Sequence, residues 1–207
     1  AVMDGDDIAK SDRIEKQINF MCQHPKIMVL GSQAEIINEN GEIIGWKKTP
    51  VANKEIYEQF GFIHPMIHPS CLIRRSLLPN RKFLYRTNFG VNSDYQTFFE
   101  FLRYGQFANL PEVLLQYRIH GKNSSFGNLK RCFLNTLQIR WLAVAKYGYS
   151  MNLLAIILTI CQIPAVLLLP IRLVNFFYPL VRGINFRYEK NSTHINFAGN
   201  RGWALSS

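Results

Sequence analysis

Up to about residue 126 the chain switches repeatedly between helical and alternating hydrophobic patterns. Ile14, Ile18, Met21 and Cys22 recur at helical spacing behind Asp12, and Asp12 with Glu15 has the form of a capping box, so a helix is expected there. Lys26 to Gly31 carries Ile27, Met28, Val29 and Leu30 in sequence and reads as a short buried strand. Glu35-Ile36-Ile37 and Glu42-Ile43-Ile44 flank Asn38-Glu39-Asn40-Gly41, which is a hairpin pattern. A short helix is expected from Lys54 to Phe60, and a strand from Cys71 to Arg74. Ser93 and Gln96 form a second capping box, opening a helix to about Tyr104 that Gly105 ends. Val113 to Ile119 reads as a strand. This interleaving of helix and strand predicts an α/β domain over residues 1–126.

The pattern then changes. Leu129 to Lys146 reads as a basic amphipathic helix with Lys130, Arg131, Arg140 and Lys146, forming a linker over residues 127–150. From Tyr147 to Ile171 no residue is charged, and Leu153 to Leu169 is nearly continuous Leu, Ile, Val and Ala. Roughly 20 apolar residues suffice to cross a bilayer. Gln162, Pro164 and Pro170 interrupt this run. Arg140 and Lys146 precede it and Arg172 and Arg182 follow it, so basic flanks give no orientation. Symmetric basic flanks also suit a segment lying on one leaflet. Residues 151–182 are therefore expected to associate with a membrane, with a buried core helix as the alternative reading. The tail over 183–207 is polar and Asn-rich, and is expected to be loosely ordered.

Charge and composition narrow the partners. The chain has 207 residues, 48% of them hydrophobic and 13% aromatic, which excludes a disordered polymer. A formal net charge of +10 favours an anionic partner. The basic residues are dispersed and match no nucleic-acid-binding module, so nucleic acid is not expected as a partner. Cys22, Cys71, Cys132 and Cys161 are scattered, with neither a zinc spacing nor a disulfide framework.

Several residues can carry chemistry. Asp4-Gly5-Asp6-Asp7 crowds carboxylates at a strand end, which suits a divalent cation that also holds phosphates. A polar loop before a capped helix reads the same residues equally well. Asp94 falls in a first helical turn, where the helix dipole favours a carboxylate that can take a proton from a hydroxyl. Complementing the dipole is a sufficient reason for an Asp there. His120 follows a strand and His68 precedes Pro69-Ser70, and both fit either a site or a loop. Arg74 and Arg75 can meet anionic oxygens or water.

The order and spacing of these pieces resemble the family 2 glycosyltransferases of the GT-A fold, particularly bacterial enzymes that build surface polysaccharide and lipooligosaccharide. The resemblance covers about residues 2–125. Met3-Asp4-Gly5-Asp6-Asp7-Ile8, then Asp12-Arg13-Ile14-Glu15-Lys16-Gln17, resembles the family's DXD motif and following helix. His68-Pro69-Ser70 with Ile73-Arg74-Arg75-Ser76 resembles its middle strand and preceding turn. Asp94-Tyr95, Phe107-Ala108-Asn109-Leu110 and Leu114 to His120 resemble its acceptor-side helix and closing strand.

The resemblance implies a partial GT-A mixed sheet and transfer of a sugar from a nucleotide-diphospho-sugar, with inversion, to a glycan or lipid-linked acceptor. Asp4, Asp6 and His120 would hold Mn²⁺ or Mg²⁺, Asp94 would be the catalytic base, and Asp7, His68 and Arg74 would line the substrate site. It implies work at the cytoplasmic face of the bacterial inner membrane. Two departures matter: Ser93 stands where the family usually has Glu, and the family's nucleotide-gripping first half has no counterpart here. If these residues are the whole protein, weak donor binding and a catalytically inactive, membrane-anchored remnant are the expected alternative.

Overall fold

The computed structural model describes residues 1–79, 84–119, 129–170, 173–174, 183–186, 195–196 and 204–205. Its centre is a mixed sheet. Strand β1 spans Ile8–Ala9, β2 Ile27–Ile37, β3 Ile43–Lys47, β4 Leu72–Ile73, β5 Gln106–Arg118 and β6 Ile184–Phe186. The order is β1-β5-β2-β3-β6, with β4 pairing the first part of β2. Only the β2–β5 pair among these is parallel. The helices are α1 (Arg13–Gln23), α2 (Asn53–Phe60), α3 (Ser93–Phe101), α4 (Leu129–Tyr147) and α5 (Leu153–Leu168).

Strand β2 is longer than its apolar run. Ser32 and Gln33 interrupt the pattern yet are buried within the strand. Their polar groups are satisfied at a distance. The Ser32 backbone N–H donates to Ser70 Oγ at 3.1 Å, and Gln33 Oε1 accepts from the Thr49 backbone N–H at 2.7 Å. A buried polar group so paired avoids most of its desolvation cost. Strand β5 likewise runs through Pro111, which has no N–H to give. Its register against β2 shifts between Ser32–Leu110 and Gln33–Val113, a bulge that accommodates the proline. Asn38 closes the β2–β3 hairpin by accepting at Oδ1 from the backbone N–H groups of Asn40 (3.0 Å) and Glu42 (2.9 Å), with Gly41 at φ 86°.

Between the sheet, α2, α3 and α4 lies an aromatic core that includes Phe60, Tyr95, Phe98, Phe99, Phe101 and Phe107. Neither expected capping box forms. Asp12 is at the α1 N-cap, but its carboxylate pairs with Lys16 at 2.8 Å and caps nothing. Asn92 precedes α3, so Ser93 is inside the helix, and its buried Oγ has no hydrogen-bond partner among the described residues.

Helix α1 is rotated from the expected orientation. It buries Arg13, Gln17 and Met21 and exposes Ile14 and Ile18. The reason is local. Gln17 Nε2 donates to the carbonyls of Leu30 (3.1 Å) and Ser70 (2.8 Å), and Arg13 Nη2 donates to Val2 O at 2.8 Å. These interior carbonyls need donors more than the helix needs its isoleucines inside.

The basic helix and apolar run also differ from expectation. Arg140 is buried and cannot grip lipid: its guanidinium donates to Thr159 Oγ1 (3.1 Å), Gln162 Oε1 (3.0 Å) and Phe62 O. Helix α5 has 16 residues, about 24 Å of helix against a hydrocarbon core of about 30 Å. Among the described residues no helix is long and apolar enough to cross a membrane. Nor is α5 a core helix: Ala155 alone is fully buried in it, and Leu153, Leu154, Ile156, Ile157, Ile160, Ile163, Leu167 and Leu168 face outward.

Candidate functional site

Three segments far apart in sequence converge on one cleft of about 500 Å³. The turn before β1 brings Asp4, the segment between α2 and β4 brings His64 and His68, and the start of α3 brings Asp94. Tyr85, Lys47 and Tyr117 also line it. The sheet explains the convergence: β1 pairs with β5 through Ile8–Gln116, and β4 pairs with β2 through Leu30–Leu72.

The acidic turn is built on a hydrogen bond from Asp7 N–H to Asp4 O at 3.4 Å. Asp4 and Asp6 are exposed, whereas Asp7 is buried. Asp7 Oδ1 accepts from the Arg118 backbone N–H at 2.8 Å, tying the turn to β5. Burial pushes the Asp7 carboxyl up to about 6, opposed by the Arg118 N–H and reinforced by Asp4 and Asp6. Its Oδ2 is buried without a hydrogen-bond partner among the described residues. The Asp4 carboxyl is also raised, first by burial and then by the charges of Asp6 and Asp94, while His68 lowers it. Burial and mutual repulsion thus disfavour the ionised forms of Asp4 and Asp7, a cost that a bound cation would relieve, and carboxylates are hard oxygen donors.

Among the described residues no group of three side chains is arranged to hold a metal ion. Asp4 and Asp6 can supply one or two carboxylates, the number Mg²⁺ commonly takes from protein when phosphates and water complete its shell. His120 lies outside the described residues.

Asp94 is anchored by a hydrogen bond at one oxygen and approached at the other at ion-pair distance, without hydrogen-bond alignment. Oδ1 accepts from the Tyr95 backbone N–H at 2.7 Å, and Oδ2 lies 3.5 Å from His64 Nε2. Its side chain remains 27% exposed to the cleft. His68 Nε2 pairs with the Tyr85 hydroxyl at 3.0 Å, and burial pushes that phenol well above its usual range. Asp6, Asp7 and Arg74 are sequence candidates that do not line the cleft, and Arg74 is turned to another task. It donates to the carbonyls of Ile27 (3.0 Å) and Met21, closing the C-terminal end of α1. A guanidinium committed to helix-end carbonyls is not available to a diphosphate.

Sequence reasoning missed His64, Lys47, Tyr85 and Tyr117. His64 falls in no recognisable motif, and its position follows only from how α2 packs on α3. Lys47 is buried with Nζ 5.4 Å from the Tyr117 ring centroid, a pairing that reaches across β2 between two non-adjacent strands and that spacing does not reveal.

Residues 1–81 match the model of the family described as glycosyl transferase family 2. Over that segment the chain is similar to glycosyltransferase family 2. The mixed α/β sheet fits a GT-A-like fold. The chain is 34% identical over 134 residues to an uncharacterized glycosyltransferase of Haemophilus influenzae, covering 60% of this chain and 41% of that protein. It is 35% identical over 128 residues to the O-antigen biosynthesis glycosyltransferase WbnJ of Escherichia coli, 60% of this chain and 48% of WbnJ. It is 29% identical over 123 residues to the amylovoran biosynthesis glycosyltransferase AmsE of Erwinia amylovora, 57% of this chain and 44% of AmsE. The chain spans less than half the length of each of these relatives.

Proposed function

We propose that this chain is the acceptor-side part of a glycosyltransferase that moves a sugar from a nucleotide-diphospho-sugar to a glycan or lipid-linked acceptor in cell-surface polysaccharide synthesis. The observation that carries the reading is the single cleft lined by Asp4, His68 and Asp94, close enough that His68 and Asp94 both act on the Asp4 carboxyl. The O-antigen and amylovoran relatives support the acceptor class.

In this reading Asp94 takes the proton of the acceptor hydroxyl as its oxygen bonds to the sugar's anomeric carbon. The bond from that carbon to the diphosphate breaks on the opposite face, its electron pair leaving with the diphosphate, so configuration inverts. Asp4 and Asp6 would hold Mn²⁺ or Mg²⁺, which when bound offsets charge on the leaving diphosphate. His68, fixed by Tyr85, lines the wall beside that charge.

Helix α5 supports docking at a membrane surface. Thr159 and Gln162 donate to Gly61 O (3.2 Å) and Phe62 O (3.1 Å), so its polar groups are spent on the protein and its outward face is apolar. Exposed Trp141 on α4 adds to that apolar surface, and exposed Lys130, Arg131 and Lys146 on the same helix suit anionic head groups. A helix too short to span fits in the interface plane, at the cytoplasmic face where nucleotide sugars are made available. Docking there would raise the effective concentration of a lipid-linked acceptor.

The test is turnover of UDP- and GDP-sugars with Mn²⁺ on anionic vesicles, using the full-length encoded protein. Turnover that needs the metal and is lost in Asp4→Ala and Asp94→Ala supports the reading. Turnover unchanged in both variants overturns it.

A further inference from the structure

We propose that His64 is the positioning residue for Asp94: its buried Nε2, 3.5 Å from Oδ2 and outside hydrogen-bond alignment here, closes onto the carboxylate in the acceptor complex and orients it to take the acceptor's proton. The inference rests on reading Asp94 as the general base.

The tautomer follows from the hydrogen bonds. The Met66 backbone N–H donates to His64 Nδ1 at 3.2 Å, so Nδ1 is the acceptor nitrogen. A neutral imidazole then carries its proton on Nε2, the atom 3.5 Å from Asp94 Oδ2. The ring cannot turn away. It is packed among Phe60, Tyr95 and Phe98, with centroid separations of 5.8, 5.2 and 5.5 Å, and its side chain is only 7% exposed.

Asp94 would otherwise be held at one end only. The Tyr95 N–H anchors Oδ1 at 2.7 Å but leaves the carboxylate free to pivot about that contact. His64 Nε2, 3.5 Å from the second oxygen and outside hydrogen-bond alignment in this structure, is the group placed to restrain it. Each oxygen keeps a lone pair for the incoming proton, and His64 retains its own proton throughout, so the histidine orients without exchanging.

The segment that carries His64 is itself fixed. Thr159 holds Gly61 O, Gln162 and Arg140 hold Phe62 O, and the Tyr95 hydroxyl donates to Phe60 O. The imidazole therefore reaches Asp94 from a backbone gripped by three helices.

The experiment uses the full-length encoded protein with UDP- and GDP-linked hexoses and Mn²⁺, comparing wild type, His64→Phe, His64→Gln and Asp94→Asn. His64→Phe keeps an aromatic ring in the pocket and loses the donor. It is expected to lower Tm through the lost Met66 N–H bond and to keep donor KM, while kcat falls by about tenfold to a hundredfold. His64→Gln, with an amide N–H near the Nε2 place, is expected to recover most of that loss.

Nitrogen NMR of the folded wild type supplies a readout independent of turnover. The Nε2–H tautomer is expected, with its resonance moving in Asp94→Asn. An Nδ1–H tautomer, or His64→Phe with wild-type kcat beside a dead Asp94→Asn, overturns the positioning role alone. Wild type without turnover, or Asp94→Asn with full turnover, overturns the base reading and the positioning role with it. If His64→Phe does not fold, the tautomer and its response to Asp94→Asn decide.

Discussion

Helices α1 and α5 both turn polar side chains inward and apolar ones outward, against the usual amphipathic arrangement. In α1, Gln17 and Arg13 serve carbonyls of Leu30, Ser70 and Val2; in α5, Thr159 and Gln162 serve those of Gly61 and Phe62. Loop and strand-end carbonyls need donors in both places, and a helix face supplies them. The outward faces differ. Ile14 and Ile18 stand among Glu15, Lys16 and the Asp12–Lys16 ion pair, so α1 presents a mixed surface that water tolerates. The outward face of α5 has no charge along its whole length. One hydrogen-bonding solution thus yields a helix suited to water and another suited to lipid, and the charges around the apolar residues decide which.

The sharpest way to break this contrast is to charge α5. Ile157→Glu with Ile160→Glu is expected to cut binding to anionic vesicles by about a hundredfold or more, since each isoleucine forfeits about 1.5–3 kcal/mol of burial in the lipid interface. Vesicle sedimentation measures it; unchanged partition would show that the outward face does not touch lipid. Next, Arg140→Met removes the donor that joins α4 to α5 and to Phe62 O. A loss of about 3 kcal/mol in urea unfolding is expected, from buried charge-assisted hydrogen bonds. Third, Gln17→Leu leaves two interior carbonyls short of donors and should cost about 2 kcal/mol, although it adds apolar surface to the face turned inward. A stabilised Gln17→Leu would mean that α1 is free to rotate its isoleucines inside. The smallest effect belongs to Ile14→Glu with Ile18→Glu, expected within about 0.5 kcal/mol per site and without influence on vesicle binding.

Much of the sheet was legible. The β2–β3 hairpin and α2 come from local turn chemistry and periodicity, which adjacent residues settle among themselves; α3 instead ends at Phe101 with Leu102 as its C-cap, short of Gly105. The continuity of β2 and β5 was not legible. Ser32, Gln33 and Pro111 look like breaks, and what overrides them is distant in sequence: Ser70 and Thr49 for the first two, and a register shift against β2 for the proline. The face of α1 was misread for the same reason, because the carbonyls that Gln17 serves belong to Leu30 and Ser70.

The candidate site divides similarly. Asp4, His68 and Asp94 stand out because carboxylates in a turn, a His before Pro-Ser and an Asp at a helix start carry local signals. Arg74 carried a comparable signal, yet helix-end carbonyls claim it. His64 carried none, since its relation to Asp94 exists only after α2 and α3 have packed around Phe60 and Tyr95.

The short stretch from Gly61 to His64 is gripped by α5 at one end and faces the cleft at the other. Under the proposed docking of α5 on a bilayer, that stretch would work as a height gauge. It would then set how far Asp94 stands above the lipid, and so which hydroxyl of a lipid-linked acceptor could come level with it.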